Sequence, residues 1–315
     1  MRKSLSDERT LSLSYVFFIS HKSRLLSQFN TSEKSAIMNN LNITKGLNSI
    51  EETTVLTCFH VLKILQDKKV VNEQDANDEM DKLRTTCVIQ QSKTATRIVS
   101  SLLYKYFSSV QKDSESNLTI ETLRPFIKHI IVSTCADIKL EWMSYRMSSG
   151  TNDGQMMIPD LALYIDPLSV INFELFIVEV KKHGNFSNGT LENDMIKLGK
   201  EMKLAVDKLI THKVDSPEII GLLIRGLNVT VMKMDLQYNG QYRLIEISTF
   251  FLVRDTIDDI MLIPSIIQKL DQVRQIIQDT MEKIYKAIRK ELCSTRVNNT
   301  FMRKGCHSPV TVKKE

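Results

Sequence analysis

Apolar residues follow two different periods along the chain, and the change of period divides it into two parts. Helical spacing dominates the first part, where the second helix is predicted to start after the acidic cluster 77–79 and to reach Tyr106. The polar run 113–117 separates this part from the next. Residues 1–50 are rich in Ser, Asn, Thr and Lys and show little periodicity. The pattern therefore predicts weak order over 1–50 and a helical region over 51–112.

The second part of the chain alternates strand-like and helical patterns. Its predicted elements are, in order, a helix over 119–133, strands over 138–143, 158–165 and 173–181, a helix over 195–209, strands over 219–224, 227–236 and 242–247, and a long helix after Pro264. Asn239 and Gly240 are typical of a tight hairpin turn between the last two strands. The order predicts an α/β domain over 113–292, with a mixed sheet flanked by helices, and a basic tail over 293–315.

Charge and cysteine content narrow the class of protein. Lys and Arg total 42 against 37 for Asp and Glu, and the net charge of +5 permits a polyanionic partner without requiring one. The five cysteines are scattered and form no metal-binding pattern, which indicates a reducing, intracellular compartment, cytoplasmic or nuclear. The apolar run 11–19 is short and follows Asp7 and Glu8, so it predicts neither a signal peptide nor a membrane span. We therefore expect no membrane partner.

One group of charged residues differs from the others in its setting. Asp160 follows Pro159 at the start of one predicted strand, and Glu179 and Lys181 end the next strand. The acid-x-Lys pattern also occurs elsewhere in the chain, but there it falls in helical stretches or lacks a preceding Pro-Asp. Residues two positions apart on a strand share a face. Glu179 and Lys181 are therefore predicted to point the same way.

The turn between these strands predicts how the two acids face one another. In an antiparallel pair, facing residues are equidistant from the turn, and the midpoint of positions 160 and 179 falls at the end of the turn 166–169. Asp160 and Glu179 should therefore lie nearly opposite each other, with Cβ atoms about 5 Å apart. Carboxylates this close repel, and burial raises the pKa of at least one of them. A divalent cation such as Mg²⁺ or Mn²⁺ resolves the conflict, because it prefers oxygen ligands.

At these residues the chain resembles the PD-(D/E)xK phosphodiesterase superfamily, whose fold is restriction-endonuclease-like. Pro159 and Asp160 match its PD element, and Glu179–Lys181 matches its (D/E)xK element. The resemblance covers about 119–250 and includes the order helix, three strands, helix, strand. The stretch 159–250 is also similar to a group of uncharacterised fungal proteins. The resemblance implies a restriction-endonuclease-like sheet with a helical region before it.

The resemblance also implies roles for the residues of the motif. Asp160, Glu179 and the main-chain carbonyl of Val180 would bind the metal, Mg²⁺ or Mn²⁺. Lys181 would assist the attacking water beside it. These four residues would together form the catalytic centre of a hydrolase.

Five further residues complete the expected site. Members of the superfamily often add an acid from the first core helix, where Glu121 fits, and Glu141 is the rival if the strand register turns it toward the site. Lys182 and His183, just after the motif, are candidates for contacts with substrate phosphates, and Lys197 on the following helix is another.

The sequence thus leaves two functions open. We expect a Mg²⁺-dependent, nuclease-like protein that hydrolyses phosphodiester bonds in nucleic acid, with DNA favoured because the superfamily leans that way. The alternative is a non-catalytic interaction module, an effector or a scaffold, that keeps the nuclease fold.

Overall fold

Seven strands form one mixed sheet in the part of the chain that the computed structural model describes, which comprises residues 7–107, 118–147, 156–167, 169, 171–181, 194–238 and 240–291. The strands are β1 (Val16–Ile19), β2 (Lys139–Trp142), β3 (Leu161–Ile165), β4 (Phe173–Lys181), β5 (Glu218–Arg225), β6 (Asn228–Tyr238) and β7 (Gln241–Phe251). Their order across the sheet is β1-β7-β6-β5-β4-β3-β2. β1 pairs with β7, and β4 with β5, in parallel, and the other neighbours are antiparallel.

Helices precede the sheet, connect its strands and close the fold. The helices are α1 (Asp7–Ser12), α2 (Arg24–Ser27), α3 (Thr31–Asn40), α4 (Glu52–Gln66), α5 (Glu73–Thr86), α6 (Gln90–Phe107), a π-helical segment (Leu118–Leu123), α7 (Arg124–Ile130), a 3₁₀ turn (Val132–Thr134), α8 (Asp194–Thr211), a second 3₁₀ segment (Ile257–Leu262) and α9 (Ile263–Glu291). None of these helices, within the described residues, has both the length and the apolar character needed to cross a bilayer.

The sheet is covered on both faces. α8 packs against β4, β5 and β6, while α9 packs against β4, β5 and β7 and against α6 and α7. Eight of the nine residues of β4 are buried, as expected for a strand between two helical layers. The architecture is therefore α/β, with a mixed sheet flanked by helices, as the alternation of sequence periods predicts.

Residues 7–50, where the composition predicts weak order, form regular elements instead. They contain α1, β1, α2 and α3, and β1 extends the sheet beyond β7. Ile19 packs against Leu26, Met38 and Ile245 in a small apolar cluster. Pairing with β7 and this packing stabilise a four-residue strand that no local periodicity signals.

The second predicted helix is wrong in its bounds, because the structure divides it in two. The side chain of Asn72 accepts a hydrogen bond from the Asp75 N–H at 2.9 Å, so α5 begins before the acidic cluster rather than after it. Cys87 has an extended backbone and ends this helix, and α6 starts at Gln90. The apolar side chain of Val88 continues the periodic pattern across the break, although it is exposed. Periodicity alone therefore joins the two helices.

Two tight turns join the last three strands. Tyr238 pairs with Gln241, and Gly240 between them has φ +69°, so the two-residue hairpin turn is confirmed. Gly226 in the turn from β5 to β6 has φ +62°, a conformation that side-chain-bearing residues rarely adopt. Both turns fix the register of long antiparallel strands.

We expect Gly221→Ala to destabilise the protein by about 1–3 kcal/mol, because β5 and α8 leave no room for a methyl group. A Cβ at this position would overlap the Met202 sulfur and lie 3.1 Å from Leu198 Cδ1. Urea unfolding measures the change. Met202→Ala removes the overlapping sulfur, so the double variant should lose less stability than the two single losses together. Additive losses would contradict this packing.

Candidate functional site

The pairing of β3 with β4 sets the position of the two predicted acids. The ladder ends with Leu161 opposite Val178, so Asp160 and Glu179 each lie one residue beyond its last pair. The Asp160 N–H donates to the Val178 carbonyl at 3.1 Å, and the Val180 N–H donates to Asp160 Oδ2 at 2.7 Å. The side chain of Asp160 therefore closes the end of the ladder at the start of β3, directly beside the acid-x-Lys motif.

A β-bulge produces this alignment. Near the turn, Ile165 pairs with Phe173, and continuing that register would place Asp160 opposite Val178. The register shifts between Leu163 and Tyr164, where Leu175 is the extra residue on β4. Because strand side chains alternate, this single residue decides whether Asp160 shares a face with Glu179.

Glu179 points toward α8 and meets two charged residues of that helix. Glu179 is almost fully buried, and Lys197 Nζ lies 2.7 Å from its Oε1. Lys197 also donates to the Ile158 carbonyl at 2.8 Å and lies 3.8 Å from Glu201 Oε1. Glu201 is fully buried, and neither of its oxygens accepts a hydrogen bond from a described N–H or O–H group. Two buried carboxyl groups thus adjoin one partly exposed lysine.

Lys181 lies on the same face as Glu179, at the last position of β4. Its Nζ is 3.6 Å from Asp194 Oδ1, at the start of α8, and both side chains remain partly exposed. The Gly226 N–H donates to the Lys181 carbonyl at 2.7 Å, which ties the turn after β5 to the end of β4. Since successive carbonyls on a strand point to opposite sides, the Val180 carbonyl is directed toward the side of β3 and Asp160.

Burial and mutual repulsion dominate the electrostatics of this group. Burial, followed by the charge of Asp160, raises the pKa of Glu179 to about 7. Burial and the charge of Glu179 raise the pKa of Glu201 well above its ordinary value. Burial disfavours the charged form of Lys197, but Glu179 and Glu201 outweigh it and raise the pKa of this lysine. The site therefore holds a charged lysine between carboxyl groups that retain protons at unusually high pH.

The structure brings together four of the predicted side chains, Asp160, Glu179, Lys181 and Lys197, and places the Val180 carbonyl toward Asp160. Lys182 and His183 lie outside the described residues. Each of the four is delivered by the hairpin β3–β4 or by α8, which packs against it.

The two rival acids of the sequence differ in position. Glu121 belongs to the π-helical segment before α7, where its carbonyl accepts a hydrogen bond from Tyr104 of α6 at 3.3 Å. Glu141 lies on β2 opposite Ala162, which pairs with Ile177, so the register places it on the same face of the sheet as Glu179, and it accepts a hydrogen bond from Ser144 at 2.9 Å. The acid that the structure places beside Glu179 is Glu201, in place of Glu121 or Glu141.

Glu201 is not part of the sequence motif, because it belongs to a helix and not to the two strands that carry the motif. A signal does exist in the sequence. Glu201 falls on the buried stripe of α8 between Leu198 and Ala205, and it follows Lys197 by four residues. A carboxyl group on the apolar stripe of a helix is costly without a specific role or partner, so such a residue merits attention beside a motif.

The oxygen-rich donor set fits a hard divalent cation. Asp160 and Glu179 offer carboxylate oxygens, Val180 a carbonyl, and Glu201 two buried oxygens without a hydrogen-bond donor. Mg²⁺ typically takes one or two protein carboxylates and completes its shell with waters and substrate oxygens. Among the described residues no three His, Cys, Asp or Glu side chains form a ready-made metal cluster.

Comparison with known proteins shows no family for this chain. No protein-family model, no curated protein and no solved structure matches it. The chemistry of the site is therefore inferred from Asp160, Glu179, Lys181 and the contacts around them.

We expect Glu201→Gln to stabilise the metal-free protein at pH 8 and to have little effect near pH 4.5. The raised pKa values of Glu179 and Glu201 mean that the folded state holds protons that the unfolded state has released. Their contribution to stability is therefore full below about pH 4.5 and is lost as the pH rises through the raised values, about 7 for Glu179. A neutral amide at position 201 removes one buried charge, so the gain in the free energy of unfolding should be larger at pH 8 than near pH 4.5.

Urea unfolding in EDTA at the two pH values measures this difference. Glu79→Gln is the control, because Glu79 is a surface residue paired with Lys82 on α5. An equal effect of Glu201→Gln at both pH values would show that its carboxyl is not the buried, proton-holding group described above.

Proposed function

We propose that the protein is a metal-dependent, nuclease-like phosphodiesterase that hydrolyses nucleic acid, with DNA as its substrate, on a restriction-endonuclease-like core of the PD-(D/E)xK type. One observation carries the proposal: Asp160, which accepts a hydrogen bond from the Val180 N–H, lies beside Glu179 at the end of the β3–β4 ladder, and Lys181 shares the face of Glu179 at an accessible edge of the sheet. The sequence of elements from α7 through β2, β3, β4, α8 and β5 is consistent with the order of that core.

Asp160, Glu179 and the Val180 carbonyl would hold the cation, Mg²⁺ or Mn²⁺. When bound, such a cation supplies Lewis-acid stabilisation of the charge that develops on the phosphate oxygens. The protein's part is to fix three oxygens at the end of a rigid hairpin. The hydrogen bond from the Val180 N–H to Asp160 holds that carboxylate in place before any ligand arrives.

Lys181 would orient the attacking water by a hydrogen bond from its ammonium group. The water oxygen then forms a bond to phosphorus in line with the P–O bond that breaks, the attacking water releases a proton to solvent and the leaving oxygen takes one up from solvent, and the ammonium charge stabilises the extra negative charge on the phosphate. The backbone of Lys181 is fixed by the Gly226 N–H, and its side chain is guided by Asp194. Both contacts support a lysine with one defined position.

Lys197 would act as the resident counter-ion of the acids. Its contacts with Glu179 and Glu201 offset the repulsion between two buried carboxyl groups. A non-catalytic interaction module would need the same contacts to tolerate these buried acids, so they support that alternative function as well. Activity and metal binding distinguish the two.

We expect Asp160→Asn and Lys181→Ala each to reduce phosphodiester hydrolysis at least about 100-fold, because the first removes a ligand of the cation and the second removes the ammonium group that stabilises the transition state. A labelled DNA strand, a DNA duplex and an RNA strand, each with Mg²⁺ or Mn²⁺, are the substrates. Lys139→Ala is the matched control. Lys139 lies on β2 and ends another acid-x-Lys tripeptide, but its side chain pairs with Asp166, directly after β3. Hydrolysis that survives Lys181→Ala, or that is absent throughout, contradicts the proposal.

Metal binding can be tested without activity. We expect Mg²⁺ or Mn²⁺ to raise the melting temperature of the protein, because a ligand that binds only the folded state stabilises it increasingly as the ligand concentration rises above its Kd. Asp160→Asn and Glu179→Gln should abolish the rise, and the control Glu79→Gln should keep it. A protein that shows no metal-dependent rise would instead be the non-catalytic module.

A further inference from the structure

The exposed end of the sheet beside the candidate site carries a row of side chains that starts at Lys181 and continues through three residues that the proposed chemistry does not use. Lys181 pairs with Arg225 across β4 and β5, Arg225 pairs with Asn228 across β5 and β6, and Asn228 pairs with Phe251 across β6 and β7. Residues paired in this way point to the same face of a sheet. The four side chains therefore form one row, here called the edge row, and it begins at the motif lysine.

The edge row is accessible to solvent. Arg225 and Asn228 are exposed, and Phe251 is 63% exposed, among the highest values for large apolar side chains in the described residues. The adjacent rung on this face adds Thr249, also exposed, which pairs with Thr230. An aromatic ring at the end of a strand that points into solvent contributes little to the core.

The chemistry of the edge row matches a single strand of nucleic acid. The cations of Lys181 and Arg225 complement phosphates, the Asn228 amide can donate and accept hydrogen bonds, and an exposed ring offers a stacking surface for a base. Neighbouring strands are about 4.8 Å apart, so the row extends about 14 Å from β4 to β7.

We infer that the edge row is a binding track for single-stranded DNA, with Arg225 on a phosphate and Phe251 stacked on a base, leading to the site at Asp160 and Glu179. The inference rests on the proposed function, which gives DNA a reason to lie along this edge of the sheet. It extends that function by specifying that the bound DNA is single-stranded. The turn at Gly226 supports the track, because it binds the Lys181 carbonyl and holds Arg225 beside that residue.

The test is the affinity of the full chain for a fluorescein-labelled oligo(dT) of 12 nucleotides in EDTA, measured by fluorescence anisotropy. We expect Phe251→Ala to weaken binding about tenfold, because loss of one base–aromatic stack has an effect of this order. Its salt dependence should stay unchanged, and Phe251→Trp should restore affinity. Arg225→Gln should weaken binding and reduce the slope of log affinity against log salt by about 0.7, as for one phosphate contact on a single strand.

Tyr238→Ala is the matched control, because Tyr238 is an equally exposed aromatic residue at the other end of β6. Melting temperatures confirm that all variants fold. Unchanged affinity in Phe251→Ala and Arg225→Gln, an equal loss in Tyr238→Ala, or tighter binding of a duplex of the same length overturns the track. Tighter binding of oligo(U) than of oligo(dT) overturns the assignment to DNA.

These outcomes separate the track from the proposed hydrolysis, because EDTA removes the cation that hydrolysis needs. Binding that depends on Phe251, in a protein that cleaves nothing with Mg²⁺ or Mn²⁺, refutes the proposed function alone. Cleavage that requires Lys181 but does not respond to Phe251 refutes the track alone.

Discussion

The antiparallel pairing of β3 with β4, with its one-residue bulge at Leu175, is the constraint on which the site depends. The pairs near the turn and the pairs near Asp160 differ by one residue in register, so the bulge sets where Glu179 lies relative to the start of β3. Because strand side chains alternate between faces, the same hairpin without the bulge would direct one of the two carboxylates into the opposite helical layer. Packing of α8 on β4 then adds Lys197 and Glu201 to an arrangement that the hairpin has already fixed.

The cost of burying these acids argues for a role beyond stability. Glu179 and Glu201 are almost without solvent, and burial and mutual repulsion raise the pKa of each. Well-packed apolar side chains of similar volume are often as stabilising as a buried ion pair, or more so. Lys197 offsets part of the repulsion but cannot offset it fully, since it is one cation beside two carboxyl groups with a third, Asp160, nearby. This excess of carboxyl groups over cations is consistent with the proposed binding of a metal cation.

The sequence predicts those parts of the structure that local patterns determine. The long strands of the sheet, α8 and the turn at Gly240 follow from period and turn chemistry. Counting residues to the turn brings Asp160 near Glu179, but the register next to the turn differs by one residue from the predicted one. β1 could not be predicted, because only its pairing with β7 makes a strand of four residues stable. The bulge at Leu175 has no local signal either. Glu201 requires knowledge of which face of α8 meets β4, and that is decided by packing.

Two cationic side chains, Lys181 and Arg225, lie side by side at one edge of the sheet. β4 and β5 are parallel, so their carboxyl ends meet at the same edge, and Lys181 and Arg225 end them in register. Gly226 lets the chain reverse within two residues, so β6 starts at Asn228 directly beside Arg225 and β7 ends at Phe251. A longer turn would allow Arg225 to move away from Lys181. A glycine with positive φ thus links the position of the motif lysine to the surface that extends from it.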